Sequence, residues 1–340
     1  MNNFNKSLDI ILKGEHLTKN EAEEAINEVM CGKVSEVMLS SWLTALKVKG
    51  ETFEEIAGLT ASMLKYSKKI TLNDKNAIDI VGTGGDQIGT INISTTSAFV
   101  VAATGIIVAK HGNNSSTSKS GGADVLSELG FNLNLTPDQT SECLNTLGIS
   151  FLYAKNLHPA FKFAAPIRKQ LPFRTVFNIV GPLINPARVK HIVIGVCEKR
   201  LCRLMAQAAK LNGYSRVIVA HGNDGLDEIT TTDFTHICEL KNNEIKEYKL
   251  YPEEFGIRKA SIDDIKGKGP DYNAQVIRDI FSGKLTGPKK DIVLINSASA
   301  ILAANKVNNW KSAIELADNA IKSGAAAKKL EEVIQFTQKF

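Results

Sequence analysis

The sequence predicts an α/β protein with a small N-terminal helical domain, residues 1–70, and a larger α/β domain, residues 71–340, built around a mostly parallel central sheet. Three observations lead to this prediction. The N-terminal region carries helix-start patterns, branched apolar runs then alternate with helical segments, and glycine-rich turns follow the strand-like runs. Alternating strand and helix signals are typical of a parallel sheet covered by helices.

Two capping-box patterns predict helices in the N-terminal region. Thr18 is followed three residues later by Glu21, and Thr52 is followed in the same way by Glu55. Each pattern opens a segment whose apolar residues recur at spacings of three and four, which is the period of an amphipathic helix. Gly50 marks a helix end. These segments therefore predict a helical module that precedes the sheet.

The first glycine-rich turn follows residues 77–81, whose length and branched side chains suit a buried strand. Glycines in residues 82–91 let bare backbone amides wrap around phosphate oxygens. Asn92, Ser94 and Thr95 then precede an apolar helix, where unpaired N–H groups attract anions. Ser94 is also a candidate ligand of a phosphate-bound Mg²⁺. The alternative is an ordinary strand-to-helix turn with N-caps.

A second turn, residues 110–122, follows another strand-like run at residues 106–109. Ligands collect at the carboxyl ends of strands in open parallel sheets, which is where this turn begins. Lys110 and Lys119 offer positive charge for phosphate, and the serine-rich centre offers hydroxyl groups. Flexible linkers have the same composition. The repeated strand, turn and helix layout favours a second phosphate-binding loop.

The proline-rich stretch 158–187 contains His158, Arg168 and Arg174. Arg168 lies at the edge of an apolar helical face, where a guanidinium can bind a carboxylate with two hydrogen bonds. A surface arginine paired with an acid is the alternative, and His158 can simply start a helix. We expect the stretch to return to the helical domain, so that Arg168 faces the sheet loops across a cleft.

A third strand-like run, residues 216–220, leads to the adjacent acids Asp227 and Glu228. Neighbouring acids usually face solvent. These two follow a strand and are expected at the same edge of the sheet as both glycine-rich turns. Because Mg²⁺ takes few protein carboxylates and fills its other positions with water and substrate oxygens, the pair predicts a magnesium site.

Composition predicts a cytoplasmic enzyme that contacts neither membrane nor nucleic acid. The chain has 340 residues, 43% hydrophobic content and five scattered cysteines without CxxC spacing, so neither a disulfide framework nor a zinc site is expected. No segment reaches the ~18 apolar residues that span a bilayer. The net charge of +5 comes from lysines interleaved with acids. Short basic pieces such as residues 266–268 are typical of solvated loops.

Together these motifs resemble the anthranilate phosphoribosyltransferase family over nearly the whole chain. The motifs that carry the resemblance are Gly82 to Asp86, Asn92 to Thr95, Lys110 to Asn113, Gly121 to Leu126, Arg168, Arg174 to Asn178, Gly181 to Leu183 with Asn185 and Pro186, and Asp227 with Glu228. The combination is specific, whereas each motif alone is weak. The resemblance implies a fold of the nucleoside phosphorylase and phosphoribosyltransferase class.

The resemblance also implies a set of site residues. Implied contacts to phosphoribosyl pyrophosphate (PRPP) are Gly82, Gly85, Asp86, Thr90, Asn92, Ile93, Ser94, Thr95, Lys110, His111, Gly112, Asn113, Asn114, Ser115, Ser116, Thr117, Ser118 and Gly122. Implied contacts to anthranilate are Gly82, Asn113, His158 and Arg168, and the implied Mg²⁺ ligands are Ser94, Asp227 and Glu228. Four positions depart from the family pattern, with Asn114 in place of an arginine, Gly122 in place of serine or alanine, Thr117 in place of serine and Ser127 in place of glutamate.

The activity implied by the resemblance is transfer of the 5-phosphoribosyl group from PRPP to the amine of anthranilate. This reaction releases pyrophosphate and belongs to tryptophan biosynthesis, and the resemblance further implies a homodimer formed through the helical domain. Two alternatives are a nucleoside phosphorylase of related fold and a non-catalytic paralogue that binds nucleic acid. The second alternative predicts loss of the two acids or of Arg168, all of which are present.

Overall fold

The computed structural model describes residues 2–74, 76–115 and 119–340, so the predicted PRPP contacts of Ser116, Thr117 and Ser118 lie outside the described residues. The strands are β1 (Ile78–Gly82), β2 (Val108–Gly112), β3 (Ile149–Tyr153), β4 (His191–Gly195), β5 (Arg216–Gly222), β6 (Thr235–Lys241) and β7 (Glu244–Leu250). The helices are α1 (Asn3–Leu12), α2 (Lys19–Met30), α3 (Glu36–Lys49), α4 (Phe53–Lys65), α5 (Ile93–Ala103), α6 (Gly122–Leu129), α7 (Pro137–Leu147), α8 (Ala154–Leu157), α9 (Ala165–Gln170), α10 (Arg200–Leu211), α11 (Ile262–Ile265), α12 (Pro270–Phe281), α13 (Pro288–Ala303), α14 (Trp310–Lys322) and α15 (Ala325–Thr337). Short 3₁₀ turns occur at Pro159–Phe163, Val176–Asn178, Gly181–Ile184 and Pro252–Phe255.

Helices α1 to α4 form the N-terminal module, and both predicted capping boxes are confirmed. The Thr18 hydroxyl accepts from the Glu21 N–H at 3.3 Å, and the Glu21 carboxylate accepts from the Thr18 N–H at 2.9 Å. Gly58 lets α2 and α4 approach closely, because a Cβ there would lie 2.2 Å from the Lys19 carbonyl oxygen. Gly50 ends α3 with a φ of +87°, which favours glycine.

The larger module is built on a seven-stranded sheet with the order β3-β2-β1-β4-β5-β6-β7. Pairing is parallel from β3 across to β5 and antiparallel for β5 with β6 and β6 with β7. The prediction of a helical domain joined to a mostly parallel α/β domain is thus confirmed. The chain reverses its direction of travel across the sheet between β1 and β4, and such a point opens a crevice where ligands bind.

Two apolar cores lie on opposite faces of the sheet, because side chains alternate along each strand. Ile80 and Val193 join the core formed with α5, α6 and helices α12 to α15. Ile192 and Ile194 join the core that continues into the N-terminal helices and α10. The sheet is therefore covered on both faces, as parallel sheets require. Within the described part of the chain, no helix has the length and apolar character needed to cross a membrane.

The proline-rich stretch packs on the N-terminal helices. Its 3₁₀ turns and α9 contact α2, α3 and α4. Gly32, just after α2, accommodates the ring of Phe163, since a Cβ there would lie 2.7 Å from the ring edge. The stretch thus joins the helical module to the sheet edge that carries the glycine-rich turns.

Two local predictions differ from the structure. The strand expected at residues 106–109 begins at Val108 and runs through Gly112, because β2 pairs with β3 along its whole length. Residues 266–268, expected as a solvated loop, instead pair with the first glycine-rich turn. Lys266 forms a bridge with Thr90, and the Gly267 N–H donates to the Gly89 carbonyl at 2.9 Å. Apolar periodicity does not report such pairing between distant segments.

Candidate active site

Asp227 lies in the crevice between β1 and β4. A Cβ added at Gly195 would lie 1.6 Å from the Asp227 carbonyl oxygen, and one added at Gly82 would lie 2.3 Å from the Asp227 carboxylate. The Gly84 N–H donates to the Asp227 carboxylate at 2.6 Å. Asp227 is 9% exposed. The glycines at these two strand ends therefore make room for an acid from the loop after β5.

Three acids gather beside this crevice. Burial, followed by the negative charge of Asp86, raises the pKa of Asp227, and the two carboxyl groups are hydrogen-bonding neighbours. Burial and then the charge of Asp227 raise the pKa of Glu228 well above its ordinary value. Like charges close together disfavour ionisation unless a cation balances them. The arrangement is that of an anionic site that a cation would stabilise.

Ser94 and Lys110 complete the surroundings of the acids. The Ser94 N–H, in the first turn of α5, donates to the Glu228 carboxylate. Lys110 is 5% exposed and its ammonium donates to the His111 carbonyl at 3.1 Å. Burial lowers the pKa of Lys110, while the charges of Asp79 and Glu228 oppose that shift. The three predicted Mg²⁺ ligands are thus neighbours, with a buried cation alongside.

The first glycine-rich turn is open at Gly84 and covered at Gly85. A Cβ at Gly84 would meet nothing within 4 Å, so its backbone faces open space. At Gly85 a Cβ would lie 1.3 Å from the Arg174 guanidinium, which therefore rests directly on the glycine. Arg174 donates to the Thr83 carbonyl at 3.1 Å. Sequence reasoning placed Arg174 in a motif only, whereas the structure brings it into the cleft.

Asn92 connects the two glycine-rich turns. Its amide donates to the Ser120 carbonyl at 3.0 Å, and its amide oxygen accepts from the Ser120 hydroxyl at 3.1 Å and from Asn273 at 2.8 Å. The alternative of an ordinary N-cap is wrong for Asn92, which makes no side-chain cap to α5. Asn273 is buried on α12, and nothing in its local sequence indicated that it would donate to the Asn92 side chain.

His111 and His158 form a buried pair. Their Nε2 atoms lie 3.2 Å apart, and the rings meet edge to face at 5.2 Å between centroids. Burial, then the neighbouring His158 and Lys110, lowers the pKa of His111 well below its usual value, and burial lowers the pKa of His158 to about 4. Both imidazoles are therefore neutral near pH 7.

Arg168 has no acidic partner among the residues that the structure describes, so the alternative of a surface ion pair is wrong. Its guanidinium stacks over the Phe161 ring, 5.1 Å from the centroid, and its buried Nε lacks a hydrogen-bond acceptor. Burial and then the charge of Arg174 lower the pKa of Arg168. A half-buried cation without an acidic partner would bind an anionic group strongly.

Some predicted site residues reach the cleft only through the backbone or from its margin. Ile93 is 2% exposed with its side chain in the core. Thr95 is also buried, and its hydroxyl packs against Gly122, where an added Cβ would lie 3.0 Å from the hydroxyl oxygen. Thr90 is held by its bridge to Lys266. Gly112 ends β2, and Asn113, Asn114 and Ser115 follow it.

Buried amides hold the acidic loop and the strand ends in place. The Asn296 side chain accepts from the Ile229 N–H at 2.9 Å and donates to the Ile229 carbonyl at 2.8 Å, which clamps the residue after Glu228 onto α13. Asn185 donates to the Asp79 carboxylate at 2.9 Å and to the Ala109 carbonyl at 2.8 Å. Sequence reasoning missed these amides because each acts across more than fifty positions of the chain.

The donor set fits Mg²⁺ bound mainly through substrate. The described residues include no group of three or more His, Cys, Asp or Glu side chains that could hold a metal ion. Two adjacent carboxylates and a serine are hard oxygen donors, and Mg²⁺ keeps several waters and substrate phosphate oxygens in its shell. Burial and neighbouring acids raise the pKa values of Asp227 and Glu228, and a bound cation would favour the ionised form of both carboxyl groups.

Two family-wide sequence patterns match the chain. The one described as the a/b domain of a glycosyl transferase family covers residues 74–327, and the one described as the helical bundle domain of a glycosyl transferase family covers residues 6–67.

Among individual proteins, the anthranilate phosphoribosyltransferase of Acetivibrio thermocellus is 47% identical over 98% of this chain and 97% of its own length. The structure of the Thermus thermophilus enzyme of that name superposes with a TM-score of 0.93, at 36% identity over 98% of this chain and 99% of that chain. The Saccharomyces cerevisiae enzyme in complex with PRPP and Mg superposes with a TM-score of 0.90, at 29% identity over 99% of this chain and 98% of that chain. A further structure of the yeast enzyme contains 4-fluoroanthranilate.

Proposed function

The chain belongs to the anthranilate phosphoribosyltransferase family, and from that premise we propose how its residues transfer the 5-phosphoribosyl group of PRPP to the amine of anthranilate. The reaction releases pyrophosphate and is a step of tryptophan biosynthesis. The resemblance inferred from the motifs is confirmed. The observation that carries the proposal is the meeting of Asp227, Glu228 and the first glycine-rich turn in the crevice between β1 and β4.

PRPP is proposed to bind along the two glycine-rich turns. The open backbone at Gly84, the start of α5 and the buried Lys110 supply amides and positive charge for its phosphates. Asn92 and Ser120 tie the turns together, so both are positioned before the donor arrives. Bound Mg²⁺ would be held by Ser94, Asp227 and Glu228 and would neutralise charge on the pyrophosphate.

Anthranilate is proposed to bind at Arg168, with its carboxylate on the guanidinium. Arg168 is a half-buried cation without an acidic partner among the described residues, and it lies near Arg174, which rests on the first glycine-rich turn. The neutral imidazole of His158 and the Asn113 amide are the proposed hydrogen-bonding partners on the ring side. Gly82 marks the strand end where the two substrates meet.

In the reaction, the amine nitrogen forms a bond to C1 of the ribose while the bond from C1 to the pyrophosphate oxygen breaks. The electron pair of the broken bond leaves with pyrophosphate, and the amine then loses one proton to solvent. An aromatic amine is neutral near pH 7, so a strong general base is not required, which agrees with the lowered pKa values that make both histidines weak bases. Preorganised amides and cations at the pyrophosphate end stabilise the charge that develops there, and the cleft holds the two reactants in line.

Turnover should depend on Mg²⁺. We expect the purified protein to convert anthranilate and PRPP to the phosphoribosylated amine with Mg²⁺ present, and to lose at least about 100-fold in rate with a chelator, because the departing pyrophosphate is then less neutralised. Loss of anthranilate fluorescence measures the rate, and restoration by added Mg²⁺ is the control. A rate that is unchanged in chelator would contradict the proposed metal site.

The two alternative functions find no support among the matching proteins. A nucleoside phosphorylase would release free base from a nucleoside with phosphate, and a nucleic-acid binder would show salt-dependent affinity for oligonucleotides. Neither property is expected, because Asp227, Glu228 and Arg168 are all in place.

A homodimer formed through the helical domain is part of the proposal. One face of α3 carries Val37, Ser41, Thr44 and Val48, all exposed and uncharged, and the two valines are 76% and 83% exposed. This spacing places the four on one side of the helix. Because exposed apolar side chains grouped on one face indicate contact with another protein, a second copy of the chain is the proposed occupant.

Light scattering coupled to size exclusion should give twice the 36.9 kDa chain mass. Replacing Val37→Glu together with Val48→Glu places two charges on the proposed face and should yield a monomer. Leu211→Glu, at an exposed apolar position on α10, is the control and should leave the mass unchanged. A monomeric wild type, or a double variant that stays dimeric, would disprove this interface.

A cytoplasmic location also remains a prediction, which the five free cysteines support.

A further inference from the structure

The two ends of the second glycine-rich turn touch each other. A Cβ at Gly121 would lie 2.3 Å from the Ser115 nitrogen, so residues 113–115 rest directly on residue 121. The Ala123 N–H donates to the Asn113 carbonyl at 3.2 Å. The turn is therefore closed at its base.

One carboxylate, Asp124, holds this base. It accepts from the Ser115 N–H at 3.0 Å, from the Gly121 N–H at 2.8 Å and from the Asn114 side-chain amide at 2.5 Å. Burial raises the pKa of Asp124, but these three hydrogen bonds outweigh burial and the pKa is lowered overall. Asp124 is thus ionised at neutral pH, and its three donors all belong to the turn.

Tyr153, the last residue of β3, reaches the same base from the sheet. Its hydroxyl donates to the Asn114 side-chain oxygen. Burial and then the charge of Asp124 raise the pKa of the Tyr153 phenol, so it keeps its proton and remains a donor. Its ring stacks on Phe151 at 6.2 Å between centroids, and its backbone pairs with Gly112, where the turn begins. The hydroxyl is therefore held by a rigid strand.

Asn114 is consequently bonded on both sides, accepting from Tyr153 and donating to Asp124. We propose that Tyr153 is a positioning residue for donor binding, whose hydroxyl orients Asn114 and thereby fixes the base of the second glycine-rich turn in the shape that receives the PRPP phosphates. The proposal rests on the proposed function for its ligand. Tyr153 contacts neither the proposed metal ligands Asp227 and Glu228 nor Arg168. Loss of its hydroxyl should therefore weaken binding of PRPP and leave the chemical step intact.

The competing explanation is that Tyr153 only packs the end of β3. Phenylalanine would then replace it without effect, because the ring and its stacking on Phe151 are retained. Tyr153→Phe therefore separates the two explanations. If the hydroxyl orients Asn114, we expect the KM for PRPP to rise about three- to tenfold, the size of one hydrogen bond, with kcat within about twofold of wild type.

A double-mutant cycle tests whether the effect passes through Asn114. In the Asn114→Ala background, Tyr153→Phe should change the KM for PRPP by less than about twofold, since the hydroxyl has lost its partner. Multiplicative effects of the two substitutions would overturn the proposed link. A KM for PRPP close to that of wild type in Tyr153→Phe itself would also overturn it.

A readout that needs no substrate separates failure of this inference from failure of the proposed function. Lys119 is exposed and lies within the turn, so trypsin can cleave after it. Without ligand, the initial rate of this cleavage should rise at least about threefold in both Tyr153→Phe and Asn114→Ala. If wild type lacks turnover but the cleavage rates rise as expected, the proposed activity is wrong and the role of Tyr153 stands. Unchanged cleavage rates in the two variants would overturn the role of Tyr153.

Tyr248→Phe is the matched control. The Tyr248 hydroxyl donates to the Glu239 carboxylate at 3.1 Å, in the antiparallel part of the sheet. This variant also loses one tyrosine hydroxyl with a polar partner, but far from the turn. We expect its KM for PRPP and its cleavage rate after Lys119 to match wild type. An equal change in both variants would show a general loss of stability and overturn the specific role of Tyr153.

Discussion

Replacing Asp227→Asn together with Glu228→Gln should reduce turnover by about 10³-fold or more, the largest effect that we expect from any change in this chain. The substitutions remove both carboxylates that would hold Mg²⁺ at the departing pyrophosphate. Loss of one preorganised electrostatic group typically costs about 10²- to 10³-fold in kcat. The measurement is kcat at saturating anthranilate and PRPP over a range of Mg²⁺ concentrations.

The same variant should remain folded. Burial raises the pKa of both acids in the folded protein, so they lower the free energy of unfolding at every pH above their ordinary unfolded pKa values, and this loss grows until the pH has passed the folded pKa. Neutral amides avoid the penalty, and the amide oxygen introduced at position 227 can still accept from the Gly84 N–H. We therefore expect the thermal unfolding midpoint at pH 7 to stay level or rise.

Glu253→Gln with Glu254→Gln is the matched control for this pair. These two acids are also adjacent, but they lie exposed in the 3₁₀ turn after β7. Their replacement should leave turnover close to that of wild type. Near-normal turnover in the Asp227 and Glu228 variant at low Mg²⁺ would mean that the acids in the crevice do not hold the metal.

Arg168→Lys should lower kcat/KM for anthranilate by about 30- to 10³-fold, the second largest effect. Lysine keeps the charge but cannot make the planar pair of hydrogen bonds to a carboxylate, and a charge pair broken inside a cleft costs about 2 to 5 kcal/mol. The KM for PRPP should change by less than about threefold. Steady-state kinetics with each substrate varied in turn will measure both effects.

A substrate without the carboxylate identifies what Arg168 binds. With aniline in place of anthranilate, wild type and Arg168→Lys should have nearly equal kcat/KM, since neither can form the pair. Arg188→Lys is the control, because Arg188 is exposed and donates to the Leu64 carbonyl at 3.3 Å. A defect of Arg168→Lys that is equally large with aniline would place the carboxylate elsewhere.

Much of the candidate site could be predicted from the sequence because its parts are local. Glycines after a branched apolar run, hydroxyl residues before an apolar helix and two adjacent acids each occupy a few consecutive positions. The capping boxes at Thr18 and Thr52 are local in the same sense, and both are confirmed. Patterns of this kind report the backbone and donor chemistry of one segment at a time.

Other parts of the site were beyond sequence reasoning. The first glycine-rich turn was expected to leave room for a ligand, but the space at Gly82 holds the Asp227 carboxylate and the space at Gly85 holds the Arg174 guanidinium. A glycine in the sequence indicates that another group approaches the backbone, but it does not indicate which group. Asn296 and Asn273 give no local signal at all, since a buried asparagine inside a helix looks like any polar residue on its surface.

The sequence by itself determined which chemistry is available here: phosphate-binding backbone, hard oxygen donors for a metal, and an arginine that can bind a carboxylate. Only the tertiary structure decided how these parts meet. Gly84 and Asp227 are separated by 143 positions and are bonded at 2.6 Å, because the order of β1, β4 and β5 in the sheet brings their carboxyl ends to one crevice. Strand order is set by the packing of both apolar cores, a property of the whole chain that no single segment encodes.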